Sequence, residues 1–235
     1  MEPDPEAKAP PESPSGVHRH QQFPIVGIGA SAGGLKALQE LLLHLPADLG
    51  MAYILIPHLA PNHESLMPQL LKKVSTMPLL EVTEGTKVKP NHVYIVTPNT
   101  TLGLADGILH AITPRMSSPV QECIDFFLVS LAEAAGEKAI GVILSGTASD
   151  GSVGIKAIKA DGGITFAQDE SAEFAGMPQA AVATGAVDLV LSPRGIAEEL
   201  VRIAKHPYFA VRRSQPEEDV FSDSDRAEFT KLLHL

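Results

Sequence analysis

With 44% hydrophobic and 20% charged side chains in 235 residues, the chain has enough apolar material for one ordinary globular domain with tails, and the mixture argues against a disordered polymer. The formal net charge of -10 is spread along the sequence without a basic stripe, which disfavours nucleic acid and anionic membranes as partners. Apolar runs fall far short of the roughly 20 residues of a membrane-spanning helix, no apolar signal segment opens the N-terminus, and the single Cys123 cannot form an internal disulfide, so a cytoplasmic protein without membrane insertion is expected.

Residues 1–22 place Pro3, Pro5, Pro10, Pro11 and Pro14 among charged and small residues, too little apolar surface to offset the entropy of ordering, and predict a disordered tail. From Phe23 onward, short apolar runs alternate with segments of helical period, the pattern of βαβ units and a parallel sheet. A strand is predicted over 23–29 and a helix over 33–45, where Leu35, Leu38, Leu41, Leu42 and Leu45 recur at helical spacing. A strand over 52–57 and a helix over 65–74 follow. Between 79 and 112 the alternation gives way to several β-like runs, among them 92–96 and two short arms around Asp106-Gly107, a dipeptide suited to a tight hairpin turn; an antiparallel insertion is expected there. Helices over 120–135, 152–160, 178–184 and 193–205 then alternate with strands over 139–144, 163–167 and 187–191.

The expected fold class is therefore α/β: a three-layer α/β/α sandwich, with a mostly parallel doubly wound sheet and an antiparallel β-hairpin insertion, in one catalytic domain over 23–207. In 208–235 an acidic linker with Glu217, Glu218, Asp219, Asp223 and Asp225 precedes an amphipathic segment carrying Phe229, Leu232 and Leu233. That segment reads either as the first helix of a following domain or as a short independent C-terminal helix.

Gly29-Ala30-Ser31-Ala32-Gly33 fits GxSxG between a predicted strand and helix, a setting in which a sharp turn lifts a serine hydroxyl above the carboxyl edge of a sheet. The helix start behind it offers unpaired N–H groups to an oxyanion, with Ala32 and Gly33 as donors. The same stretch, read as Gly27-x-Gly29-x-x-Ala32, also fits a loose dinucleotide fingerprint. That alternative wants an acidic residue at the end of the second strand, where Pro57-His58 stands instead.

A histidine with an ordinary pKa near 6.5 is the base that a serine nucleophile needs, although a strand-end histidine is also commonly structural. Asp150, in the loop 145–151 after another buried strand, is the carboxylate best placed to orient it; its competing role is to cap the next helix. His58, His63 and Glu64 suggest a metal site only weakly, because Pro61 interrupts the helix that would align them. No metal is expected. Cys123 reads as a buried thiol on an apolar helix face with Phe126, Phe127 and Leu131, and Asp169, Glu170 and Glu173 as a solvated acidic loop.

The segments 27–34, Pro57-His58, 145–151, Ala167-Gln-Asp-Glu170 and Gly176-Met-Pro178 are similar, in order and spacing, to the hallmarks of CheB-type chemotaxis protein-glutamate methylesterase domains, over about 23–205. The resemblance implies a Ser31–His58–Asp150 triad without a cofactor. It also implies hydrolysis of glutamate methyl esters on the cytoplasmic helices of methylated chemoreceptors (methyl-accepting chemotaxis proteins), with receptor glutamine deamidation as a related activity. The chain departs from the family pattern at Ala32, where threonine is frequent, and at Thr147-Ala148-Ser149, where a Met-Gly-containing stretch is frequent. The 22 residues before the domain are too few for the receiver domain that usually precedes it, and 225–235 weakly resemble the start of a CheR-type methyltransferase domain, as in fused proteins. A non-catalytic sensory or docking module with the same fold remains the alternative to an enzyme.

Overall fold

The computed structural model describes residues 23–59, 65–112 and 122–206; the expectations for 1–22, for His63 and Glu64, and for 208–235 lie outside them. Its centre is a seven-stranded sheet in which every neighbouring pair is parallel. The strands are β1 (Ile25–Ala30), β2 (Ala52–Pro57), β3 (Leu79–Glu81), β5 (His92–Ile95), β8 (Ala139–Ile143), β9 (Ile164–Gln168) and β10 (Leu189–Leu191), in the order β10-β9-β8-β1-β2-β5-β3. The chain winds outward from β1 through β2 and returns to lay β8 on the other side of β1. The β1/β8 boundary is thus the topological switch point, where ligand sites of open α/β sheets gather.

Among the described residues six α-helices, α1 (Gly34–Leu43), α2 (Met67–Lys72), α3 (Cys123–Ala135), α4 (Ser152–Ala160), α5 (Gly176–Ala183) and α6 (Pro193–Lys205), cover the two faces. One apolar core joins the sheet to α1, α2 and α6 through Leu38, Leu41, Leu42, Leu71, Ile196 and Leu200. The other joins it to α3, α4 and α5 through Ile124, Phe127, Leu128, Ile155, Ile158 and Met177. Alternation along β1 supplies both: Val26 and Ile28 enter the first core, whereas Gly27 and Gly29 face α3, where a Cβ would come within 2.7 Å of Leu128 and 2.5 Å of Ile124. These glycines let α3 lie against the strand.

The region 79–112 differs from the expected antiparallel insertion in its extent. β3 and β5 join the parallel sheet, because β5 carries the buried run Val93, Tyr94 and Ile95 and pairs with β2, and a strand buried on both faces suits a parallel sheet. Only β4 (Thr86–Lys87), β6 (Thr101–Ala105) and β7 (Ile108–Ile112) form a separate antiparallel sheet. Asp106 and Gly107 turn its hairpin with φ of 50° and 72°, the left-handed pair of a two-residue type I′ loop. Phe126, expected on the buried face of α3, is 48% exposed, while Cys123, Phe127 and Leu131 are buried.

Candidate active site

Parallel register brings the three predicted side chains to one edge. Ala30 stands opposite Pro57 and Gly29 opposite Ile143, and the ladder continues past the strand ends: His58 N–H donates to Ala30 O at 2.9 Å and Ser31 N–H to Ser145 O at 2.9 Å. Ser31 and His58 therefore leave adjacent strands at the same level. The 145–151 loop then carries Asp150 round to the far side of the imidazole.

His58 Nδ1 lies 3.1 Å from Ser31 Oγ, and His58 Nε2 lies 2.8 Å from Asp150 Oδ2. A carboxylate can only accept, so Asp150 holds the imidazole proton on Nε2 in the neutral ring and leaves Nδ1 with a lone pair towards the hydroxyl. Compared with the chymotrypsin-type arrangement, the two ring nitrogens exchange places.

Asp150 is 6% exposed and is held by the start of α3: Ile124 N–H donates to Oδ2 at 3.1 Å and Asp125 N–H to Oδ1 at 2.9 Å. The positive end of a helix dipole favours a carboxylate there. Its capping therefore serves α3, whereas the sequence pointed to the next helix in the chain. Asp125 reciprocates, accepting the Gly154 N–H of α4 at 2.7 Å, so each of the two helix starts is held by a carboxylate from beside the other. Burial pushes Asp125 above the usual carboxylate range, and the charge of Asp150 adds to that rise.

The hydrogen bond to Asp150 is the largest cause raising the His58 pKa to about 10, Cys123 adds to it, and burial opposes both. The sequence alone points to Cys123 as a core thiol. It is buried, but it also opens α3 beside the imidazole, where a His58 ring nitrogen, the Cys123 sulfur and an Asp150 oxygen lie within 4.8 Å of one another. Sixty-odd residues of sequence hide that neighbour from a local reading.

Gly33 adopts φ 73° as the N-cap of α1, and a Cβ there would meet Ser145 Oγ at 2.7 Å and the Glu173 Cβ at 2.9 Å. Both the left-handed backbone and the confined space require glycine. Ala32 and Gly33 stand at the start of α1, with Gly33 as its N-cap, where backbone N–H groups have no intrahelical partner. Ser145, which opens the 145–151 loop, ties the loops together. Its N–H donates to Gln168 Oε1 at 2.8 Å, its hydroxyl donates to Ala32 O at 2.8 Å, and it accepts the Phe174 N–H at 3.0 Å. Gln168 of the 167–170 segment and Phe174 thereby brace the serine turn, Met177 N–H of the 176–178 segment donates to Gly146 O at 2.9 Å, and Glu173 stands at the rim beside Gly33.

A parallel α/β sheet whose carboxyl edge carries a Ser–His–Asp chain of hydrogen bonds defines the serine-hydrolase class of arrangement. Within that class, residues 26–200 match the CheB methylesterase family, and the chain belongs to that family. It is 35% identical over 185 residues to the protein-glutamate methylesterase/protein-glutamine glutaminase 2 of Burkholderia lata, covering 78% of this chain and 55% of that one. To the corresponding Bordetella parapertussis protein it is 38% identical over 184 residues, covering 75% and 52%. The chain thus spans about half the length of these curated relatives. The crystal structure of the Thermotoga maritima CheB methylesterase catalytic domain superposes with a TM-score of 0.71 at 29% identity, covering 77% of this chain and 98% of that one. In the dinucleotide alternative, Gly27 and Gly29 would be kept for a phosphate; here both are accounted for by contact with α3. No helix among the described residues is long and apolar enough to cross a membrane.

Proposed function

We propose that this domain hydrolyses glutamate methyl esters on the cytoplasmic helices of methyl-accepting chemoreceptors, releasing methanol, and deamidates receptor glutamines as a related activity. The observation that carries the reading is the chain of hydrogen bonds from Ser31 through His58 to Asp150. Ser31 Oγ attacks the ester carbonyl as its proton passes to His58 Nδ1. The Nε2–H bond to Asp150 then stabilises the imidazolium. The tetrahedral oxyanion is held by the N–H groups of Ala32 and Gly33. Collapse expels methoxide, which takes the proton from Nδ1 and leaves as methanol. Water, deprotonated by the same nitrogen, releases the glutamate carboxylate from Ser31.

The residues at work are the chain's own and call for no cofactor. The catalytic unit is 23–207, acting in the cytoplasm. Methanol release from purified methylated receptor is the decisive measurement. Ser31→Ala lowers turnover by about six orders of magnitude, the loss seen when a protease nucleophile is removed, with an unchanged circular dichroism spectrum. A variant that demethylates receptor as fast as the parent overturns the assignment.

A further inference from the structure

Among the described residues, a His58 ring nitrogen, the Cys123 sulfur and an Asp150 carboxylate oxygen lie within 4.8 Å of one another, a mixed N, S and O donor set of the kind that binds zinc. Ordinary zinc bond lengths of about 2.0–2.3 Å place tetrahedral ligands roughly 3.3–3.7 Å apart, so movements of about an ångström bring the three into register. A cavity of about 70 Å³, lined by His58, Cys123, Val96, Thr97, Asn99 and Thr100 among others, adjoins the cluster and leaves room for a water in the fourth position. Two of the donors are anionic when they ligate, which matches a divalent charge in a partly buried site.

We propose that these three side chains form an inhibitory zinc site, in which the metal and the hydrogen-bonded chain compete for the same imidazole. The nitrogen facing Asp150 is Nε2. When zinc replaces that hydrogen bond, with the two groups moving slightly apart, Nε2 gives its lone pair to the metal, and the neutral ring carries its proton on Nδ1. Nδ1 lies 3.1 Å from Ser31 Oγ, so with its proton there the ring can no longer accept the serine proton. Binding to the thiol and the imidazolium releases two protons, one from Cys123 and one from the ring. A thiolate and imidazole set selects zinc over magnesium and calcium, which favour oxygen donors. The existence of the site does not depend on the esterase reading; its effect on turnover does.

Cobalt(II) is the probe, because thiolate-to-cobalt charge transfer absorbs in the near ultraviolet and the chain has a single cysteine. Titrating the full chain with cobalt alone should raise this band, zinc should abolish it, and excess magnesium should not. Cys123→Ser should lack the band. Zinc affinity, measured by competition with a chelating dye, should fall at least about 100-fold in Cys123→Ser and Asp150→Asn, beyond the 10- to 100-fold loss typical of outer-shell changes, and Ser31→Ala should retain both band and affinity. Circular dichroism reports whether each variant is folded.

Absence of the band at saturating cobalt overturns the site. Equal zinc affinity in the parent and a folded Cys123→Ser overturns it too, since binding then does not use this thiol. If the band forms but the parent never demethylates receptor, the esterase reading fails and the metal site stands. If turnover continues at zinc concentrations that saturate the band, the inhibitory role is wrong.

Discussion

At the scale of single residues, the imidazole of His58 carries the most consequence. As the base of the proposed reaction it must be neutral to act, and a pKa raised to about 10 leaves only a minor neutral fraction near pH 7. We expect kcat/KM to climb about tenfold per pH unit across neutrality and to level off towards the raised pKa. Asp150→Asn should move the inflection down towards 6.5 and lower the plateau by about 10⁴-fold, the cost of losing the orienting carboxylate in a protease. A pH–rate profile that levels off near 6.5 in the parent contradicts this. The sign for folding is the opposite one. The charged pair stabilises the fold fully below pH 6.5, and its contribution fades as pH rises through about 10. Ala148 presents a separate case: its φ of 65° is left-handed, a conformation costing about 1–2 kcal/mol for a residue with a Cβ. Ala148→Gly relieves that cost, less the extra entropy of the unfolded chain, and should raise stability by up to about 1 kcal/mol in a denaturant titration.

At the scale of elements, the close seating of α3 on β1 links packing to chemistry. Because a Cβ on Gly29 would come within 2.5 Å of Ile124, and because the Ile124 N–H holds Asp150, Gly29→Ala displaces the helix start that positions the carboxylate. We expect a loss of about 1–3 kcal/mol from overpacking, together with a fall in kcat larger than the folded fraction explains. Normal kcat in a destabilised Gly29→Ala would separate the packing role of this glycine from the site. Helix α6 shows local signals at both ends agreeing with the packing of its apolar face through Ile196 and Leu200. Pro193 opens it, Ser192 caps it by accepting the Gly195 N–H at 3.1 Å, and Arg202 and Lys205 sit in its last turn, each a choice favoured at that position.

For the whole molecule, the two cores on opposite faces of the sheet have unequal bearing on the site. Phe127 lies in the core under α3 and Phe166 in the core under α1 and α6. Truncation of either to alanine should cost about 3–5 kcal/mol. Only Phe127→Ala should also lower turnover per folded molecule, since α3 carries both the donors to Asp150 and Cys123. Equal specific activity of the two variants, measured at a temperature where both are folded, would show that the faces are not distinguished in this way.

Much of this protein is legible in its residues one segment at a time. Helical and strand periods are properties of neighbouring side chains, so the 52–57 strand and the 152–160 and 193–205 helices agree with the predicted bounds. Ser31, His58 and Asp150 stand out as candidates in the sequence because each follows an apolar strand, and the structure brings their side chains within hydrogen-bonding distance. Strand order, by contrast, depends on backbone pairing between segments far apart in sequence. Only the tertiary structure therefore decided that β3 and β5 extend the parallel sheet, and that β1 and β8 meet at its switch point. The same holds for Asp150 and Asp125, which exchange partners across two helix starts, and for Cys123, which the packing of α3 against β1 carries to the imidazole. Local pattern sets which face of an element is apolar; long-range packing sets what that face, and the loop beyond it, will touch.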